Sequence, residues 1–250
     1  MGTAIVAIMK EMDHDPVIAD LRLAAFREQN YLDINRARLQ HLESLDLPLS
    51  QCRVLELGSG PGDLTGFYVE RGCKVVAVDA REECLEPIRQ RYPKVETRQV
   101  DLNHPEPLRE LGQFDVIHCY GILYHLEEPA RLIAFAGEAA GLLVMETCLS
   151  AGTGAGLVFA DETADYTQSF TAKGCRPTRA WVFTELAKAF PFVYLTRTQP
   201  NHREFPTDWN GSLDHFKNIR SVFVGSRVEL PETHLSPVLL NSQEALTTRS

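Results

Sequence analysis

Residues 54–62 constrain the fold of this chain more than any other stretch. An apolar run, Val54-Leu55, leads into Glu56, and glycines follow at positions 58, 60 and 62. Because glycine has no Cβ atom, a glycine-rich turn after a strand lets a ligand lie directly against the main chain. A second apolar run, residues 75–78, ends in Asp79 about twenty residues later, where a carboxylate reaches a ribose diol in nucleotide-binding βαβ units. These features predict a site for a ligand with an adenosine-like end.

Strand and helix patterns alternate along the chain. The predicted strands are 53–57, 74–78, 95–100, 114–118, 142–147, 192–198 and 221–226, and the predicted helices are 16–45, 62–71, 81–91, 105–111, 127–140 and 178–190. The strands are near-continuous Val, Ile and Leu runs, which indicates burial on both faces and a parallel sheet. We predict an α/β, Rossmann-like fold with a seven-stranded, mostly parallel sheet and helices on both faces. The last two strands pair antiparallel, because no crossover helix is predicted between them.

The length of 250 residues fits one domain, which we place at 1–226, followed by a loosely held polar tail at 227–250. The helix at 16–45 is expected to cover the ligand. Segments 149–177 and 199–218 show no regular pattern, and long irregular segments inside compact domains usually carry function. We expect both to be substrate loops.

The composition of the chain indicates which classes of partner and which cellular location to expect. The formal charge of −9 disfavours nucleic acid as a partner, since phosphate contacts need clustered Lys and Arg. The six cysteines form no CxxC pair, which favours reduced thiols in a cytosolic protein. The apolar N-terminus is too short for a convincing signal peptide, and no run is long enough to span a membrane. We expect a cytoplasmic monomer or homodimer that acts on a small molecule and not at a membrane.

Two other nucleotide-binding patterns fit less well. The dinucleotide fingerprint is G-x-G-x-x-G, whereas the third glycine here comes one position early and Pro61 lies inside the loop. The phosphate-binding P-loop needs Gly-Lys-Ser/Thr, which does not follow these glycines. A nicotinamide-dependent dehydrogenase is therefore the remotest of the alternatives.

Four motifs in order resemble the class I S-adenosylmethionine-dependent methyltransferases, of a bacterial type with unassigned substrate. They are the glycine turn at 54–62, Asp79, the pair Asp101-Leu102, and residues 114–126 after the fourth strand pattern. The resemblance covers roughly residues 50–150. It implies S-adenosyl-L-methionine as cofactor and S-adenosyl-L-homocysteine as product.

The resemblance also implies which residues hold the cofactor. Asp79 would bond the ribose hydroxyls, Asp101 would face the adenine amino group, and the main chain near Tyr120 would lie by the methionine amine. From the preceding helix, an arginine is expected to hold the methionine carboxylate, unless that face is simply solvated. The cofactor residues predicted in this way are Arg38, Glu56, Gly58, Ser59, Gly60, Gly62, Asp79, Ala80, Asp101, Leu102, Cys119 and Tyr120.

Two residues are candidates for catalysis. His125 follows the fourth strand, where an imidazole suits general-base work near neutral pH, although a histidine satisfied by backbone at a helix start fits equally well. Glu146 ends the fifth strand, where it would bind the acceptor, orient His125 or form a buried ion pair. His118 lies inside a strand and is expected in the core. No metal is expected, because His125, Glu146 and His202 are scattered in sequence.

The substrate residues are predicted from the polar and aromatic segments near the two loops: Tyr124, Arg176, Trp181, His202 and Trp209. The favoured function is methyl transfer to a small molecule, with oxygen preferred over nitrogen because of His125. Methylation of tRNA or protein is an alternative, which a basic patch formed by Arg176, Arg179, Arg197 and Arg203 would favour. Another alternative is a module that binds the cofactor but has no turnover. Blockage of the cleft by segment 149–177 would favour it.

Overall fold

The computed structural model describes residues 23–162 and 168–247. Its strands are β1 Arg53–Leu57, β2 Lys74–Asp79, β3 Glu96–Gln99, β4 Phe114–Tyr120, β5 Ala140–Leu149, β6 Leu157–Asp161, β7 Lys173–Pro177, β8 Phe192–Thr196, β9 Thr198–Gln199, β10 Ile219–Ser226, β11 Leu235–Ser236 and β12 Glu244–Ala245. Its helices are α1 Gln29–Ser44, α2 Thr65–Glu70, α3 Glu82–Arg91, α4 Pro129–Ala139 and α5 Arg179–Ala189. Short 3₁₀ turns lie at Ala24–Arg27, Glu106–Leu111 and Leu123–His125.

The central sheet has the strand order β11-β8-β10-β5-β4-β1-β2-β3. Strands β1 to β5 are parallel, and β10 runs antiparallel to both β5 and β8. The Rossmann-like class and the antiparallel closing pair are thus confirmed. The strand count is eight rather than seven, because β11 from the tail pairs with β8 through Leu235 and Thr196.

The apolar runs of β1, β2, β4 and β5 are buried on both faces, as predicted, whereas the polar β3 at the edge of the sheet is largely exposed. At the centre, Leu55 of β1 lies between Val76 of β2 and Ile117 of β4, and all three are buried. Alternate strand side chains enter two separate core clusters. Helices α4 and α5 cover one cluster, while α1, α2 and α3 cover the other. Helices therefore pack on both faces of the sheet.

Three predicted segments differ from the structure. In the described part of the 16–45 helix, Glu28 is extended and separates a 3₁₀ turn from α1, while residues 16–22 lie outside the described residues. Segment 149–177 is not irregular throughout, because β6 and β7 form a hairpin; residues 163–167 of it are likewise not described. In the described part of the tail, residues 227–247, Leu235 and Gln243 are buried, so this part is not loosely held.

Among the helices described, none has the length and apolar character needed to cross a lipid bilayer.

Candidate active site

A cleft lies at the carboxyl ends of the parallel strands, where the turns after β1, β2 and β4 meet. This edge is where open α/β sheets bind ligands. The empty space in the cleft is about 1270 Å³ when the part that is open to solvent is included. Twelve predicted site residues line it: Arg38, Glu56, Gly58, Ser59, Gly60, Asp79, Ala80, Asp101, Leu102, Tyr120, Tyr124 and His125.

The glycine turn is held in a left-handed conformation that favours glycine. Gly58 and Gly60 have φ values of 65° and 52°. A Cβ atom on Gly58 would lie 2.7 Å from the side chain of Ile122, so this position has no room for one. Gly62, with φ 84°, does not line the cleft, and a Cβ there would lie 2.6 Å from Ile88 of α3. Gly62 thus serves packing beneath the turn, a different place from the one predicted.

The acid at the end of β2 is joined to this turn. One carboxylate oxygen of Asp79 accepts a hydrogen bond from the backbone N–H of Gly60 at 2.9 Å, and the other accepts from Arg81 N–H at 2.9 Å. Burial raises the pKa of Asp79, and these two bonds oppose that rise. The carboxylate is therefore fixed beside the glycine turn.

Two further acids lie along the cleft. Glu56 is buried, which raises its pKa to about 8, although a hydrogen bond of 2.6 Å from the Thr65 hydroxyl opposes this. Asp101 Oδ1 accepts from the backbone N–H and the side-chain amide of Asn103, at 2.9 and 3.1 Å. Together with Asp79, they place three carboxyl groups along the cleft.

Several buried polar atoms on the cleft wall lack a hydrogen-bond partner among the described residues. They include Arg38 Nε, Asp63 Oδ2, His118 Nε2 and Tyr120 Oη. Each such atom costs about 1–3 kcal/mol when left unpaired, so the group indicates a ligand that offers both donors and acceptors. Asp63 and His118 are functional candidates that the sequence reading missed. The signal for His118 is its two-residue spacing from Tyr120, which places both on one side of β4.

Cys119 lies between those two residues and points to the other side. It is fully buried in the apolar cluster beneath α4 and does not line the cleft. Its predicted contribution through the main chain stays a prediction, whereas its thiol belongs to the core.

Behind the cleft wall lies a buried ionic network. Glu146, with no exposed surface, accepts from Arg38 at 2.5 Å and from Arg220 at 3.0 Å. Arg220 also pairs with Glu204 at 2.7 Å and donates to the Tyr124 hydroxyl at 3.3 Å. Glu146 does not line the cleft, so the structure places this predicted catalytic residue as the counter-ion of two arginines. Sequence reasoning missed Arg220 and Glu204, which both line the cleft.

His125 ends the 3₁₀ turn after β4, and its partner is Glu162 rather than Glu146. The distance from His125 Nδ1 to Glu162 Oε2 is 2.6 Å. Burial raises the pKa of Glu162, but bonds from His125, Ser169 and Arg176 outweigh it and lower the pKa to about 2. For His125, burial lowers the pKa and outweighs the opposing effect of Glu162. The ring is therefore neutral near pH 7.

The other predicted substrate residues do not line the cleft and make structural contacts elsewhere. Arg176 donates to Glu162 at 3.0 Å, and Trp181 packs against the core. Trp209 donates to Gln243 at 2.8 Å, and the guanidinium of Arg179 lies 3.9 Å from its ring centroid. His202 Nδ1 accepts from the backbone N–H of Glu204 at 3.3 Å. From the two predicted substrate loops, the residues that line the cleft are Gln168, Phe170, Glu204 and Asn218.

The described ranges contain no group of three or more His, Cys, Asp or Glu side chains placed to hold a metal ion.

Comparison with known proteins agrees with this geometry. Residues 54–144 match the sequence model of a methyltransferase domain. Ubiquinone biosynthesis O-methyltransferase of Bordetella avium (strain 197N) is 31% identical over 109 residues, or 40% of this chain and 43% of the relative. Trans-aconitate 2-methyltransferase of Azoarcus sp. (strain BH72) is 33% identical over 111 residues, which are 42% of this chain and 43% of the relative. Each match thus spans less than half of the curated relative.

Solved structures share the fold over a longer stretch. The N-terminal domain of EvdMO1, with SAH bound, has a TM-score of 0.59 at 23% identity and covers 80% of this chain and 82% of its own. Magnesium protoporphyrin IX methyltransferase from Synechocystis PCC 6803, with bound SAM, has a TM-score of 0.53 at 14% identity, with coverages of 88% and 96%. The sheet and its cleft define a Rossmann-like methyltransferase fold. Residues 54–144 thus form a methyltransferase domain, and the findings support a methyltransferase of the class I, S-adenosylmethionine-dependent type.

Proposed function

We propose that this chain transfers the methyl group of S-adenosyl-L-methionine to a small-molecule acceptor, with an oxygen favoured over nitrogen. The observation that carries the proposal is one cleft that joins the glycine turn and Asp79 to a buried, neutral His125. S-adenosyl-L-homocysteine is then the product. The names of the two relatives, a ubiquinone biosynthesis O-methyltransferase and a trans-aconitate 2-methyltransferase, support this choice of acceptor.

The residues present fit the cofactor. S-adenosylmethionine supplies a methyl carbon that positively charged sulfur already activates. Its sulfur atom carries a positive charge and the molecule has no phosphate, so a cleft lined by carboxyl groups suits it better than a lysine-rich one. Arg38 Nε and Asp63 Oδ2 have no hydrogen-bond partner among the described residues, which supports Arg38 as the donor to the methionine carboxylate and Asp63 as the acceptor from the amine. Asp79 is expected to hold the ribose and Asp101 the adenine.

His125 supports an acceptor that must lose a proton. Ionised Glu162 accepts only, so the bonded Nδ1 carries the ring proton and Nε2 is the nitrogen that accepts another. A hydroxyl beside Nε2 would give up its proton as its oxygen bonds to the methyl carbon, and the electron pair of the broken C–S bond would stay on sulfur. A neutral base is what this transfer requires.

The two alternatives find less support. Methylation of tRNA or protein would be favoured by a basic surface patch, but Arg176 is ion-paired to Glu162 and Arg179 is buried. A module without turnover would be favoured by a blocked cleft. The described residues of 149–177 line the cleft through Gln168 and Phe170 and do not fill it, and Phe170 is 57% exposed.

Calorimetry with S-adenosylhomocysteine tests the cofactor. Asp79→Ala should weaken binding by roughly 10- to 150-fold, because hydrogen bonds to a charged group contribute about 1.5–3 kcal/mol. Asp214→Ala is the matched control, since Asp214 is exposed and does not line the cleft. Its affinity should equal that of the unmodified chain. No binding of S-adenosylhomocysteine by the unmodified chain would refute the proposed function.

A further inference from the structure

The partner of His125 comes from outside the part of the chain that matches the methyltransferase domain. That match ends at residue 144, whereas Glu162 follows strand β6 of the hairpin. The side chain of Glu162 is only 2% exposed, and that of His125 is 7% exposed. Burying a charge is costly unless it is paired. A carboxylate this well buried, next to a strand of a surface hairpin, is therefore expected to have a specific partner.

We propose that Glu162 is the positioning residue of His125: it fixes the proton on Nδ1, aims Nε2 at the acceptor and stabilises the imidazolium formed during transfer. This inference rests on the proposed function, in which His125 is the base. Besides contact with the acceptor, the hairpin then has a role in catalysis, because it supplies the carboxylate that pairs with His125.

The geometry holds Glu162 in one place. Its Oε2 accepts from His125 at 2.6 Å and from the backbone N–H of Ser169 at 2.7 Å, and its Oε1 accepts from Arg176 at 3.0 Å. Arg176 also donates to the carbonyl of Tyr124, at 3.3 Å, so it joins the hairpin to the turn that carries His125. Both oxygens of the carboxylate are thus engaged, which leaves it little freedom to turn.

Gly174 of β7 makes room for this contact. A Cβ atom there would lie 2.5 Å from the carbonyl oxygen of Tyr124 and 2.6 Å from Glu162 Oε1. Both distances are too short for any side chain. The hairpin therefore approaches the turn closely enough for Glu162 to reach His125 because residue 174 is glycine.

The charges around His125 set the sign of the expected effect. Those that face it are Glu162 and Arg176 from the hairpin and Arg220 from β10, while the neutral ring of Tyr124 lies 3.9 Å away, centroid to centroid. Glu162 favours the protonated ring, whereas the two arginines oppose it. Removal of the carboxylate charge should lower the pKa of His125 and weaken it as a base.

The transfer moves one methyl group and one proton. The acceptor oxygen forms a bond to the methyl carbon, the C–S bond breaks with its electron pair on sulfur, and the acceptor proton moves to Nε2 of His125. Nδ1 keeps its proton, which stays hydrogen-bonded to Glu162. The carboxylate remains ionised throughout, so it acts by position and charge and is not itself a base.

Nuclear magnetic resonance of histidine-labelled protein, saturated with S-adenosylhomocysteine, tests this without an identified acceptor. In the unmodified chain His125 should carry its proton on Nδ1. Glu162→Gln should lower the proton affinity of His125 about tenfold or more, because an opposite charge at this distance shifts a pKa by about 1–3. Asp161→Asn, one residue away and exposed, should leave both properties unchanged. His125→Gln identifies the signal among the eight histidines.

A second variant keeps the carboxylate but moves it. Gly174→Ala should also shift the Nδ1–H signal of His125 and lower its proton affinity, although Glu162 is intact. An unchanged tautomer and pKa of His125 in Glu162→Gln would overturn the positioning role. Failure of the cofactor to bind the unmodified chain would instead refute the proposed function, so the two failures are distinguishable.

Discussion

Glu146→Ala should lower the free energy of unfolding by about 3–5 kcal/mol, because it leaves two buried arginines without their shared partner. Arg38 and Arg220 each bond one oxygen of Glu146, and both side chains are less than a tenth exposed. Taking one partner from a buried pair strands the remaining charge in a poorly solvated place. Here one substitution strands charge at two positions, although Arg220 keeps its bond to Glu204.

Urea denaturation, compared with a matched surface variant, checks this expectation. Glu138 pairs with Arg109 at 2.9 Å, but both side chains are more than half exposed. Glu138→Ala should therefore change the unfolding free energy by less than about 1 kcal/mol. A loss at Glu146 no larger than the loss at Glu138 would contradict the buried network.

The same network connects stability to the cleft. Arg38 and Arg220 line the cleft on one side and bond Glu146 on the other, so Glu146 fixes the two guanidinium groups in position. Glu146→Gln keeps the shape and some hydrogen bonds but removes the charge. It should lose less stability than the Ala variant while still weakening S-adenosylhomocysteine binding through Arg38.

Features set by local spacing were predictable from the sequence. The apolar runs of β1, β2 and β4 reveal a sheet buried on both faces, and the turn after β1 lies within five residues of the strand it follows. Asp79 is predictable for the same reason, since it ends a strand that must neighbour β1. In these cases the residues that interact are close in sequence, or their strands pair by a general rule.

Features set by distant contacts were not predictable. Glu146 and Glu162 are both carboxylates near strand ends, and nothing in their spacing shows which one bonds His125. Which of the two carboxylates bonds His125 depends on two distant contacts. Strands β6 and β7 of the hairpin pair across eleven intervening residues, 163–167 among them. Arg220, which bonds Glu146, is 74 residues away from it in sequence. Strand β11 is missed for another reason: two residues are too few to show an alternating pattern.

His125→Ala should reduce kcat by about 10²- to 10⁴-fold, the range that a positioned general base contributes. The affinity for S-adenosylhomocysteine should change little, because the ring serves the acceptor. The pH dependence follows from a base that must be neutral: kcat/KM should rise with pH through the pKa of His125 and then level off. Burial lowers that pKa below its ordinary range, so the rise should fall on the acid side of neutrality.

Measurement of this effect first needs an acceptor. A transfer screen on cell extract, with the cofactor labelled in its methyl group, identifies it as the molecule that gains label. Steady-state kinetics with that acceptor then compare His125→Ala with His215→Ala, which alters an exposed histidine that does not line the cleft. Turnover unchanged in His125→Ala would remove His125 as the base and with it the preference for a hydroxyl acceptor. A large loss in His125→Ala alone, with cofactor affinity kept, would place proton transfer at this ring, because a structural defect would also weaken cofactor binding.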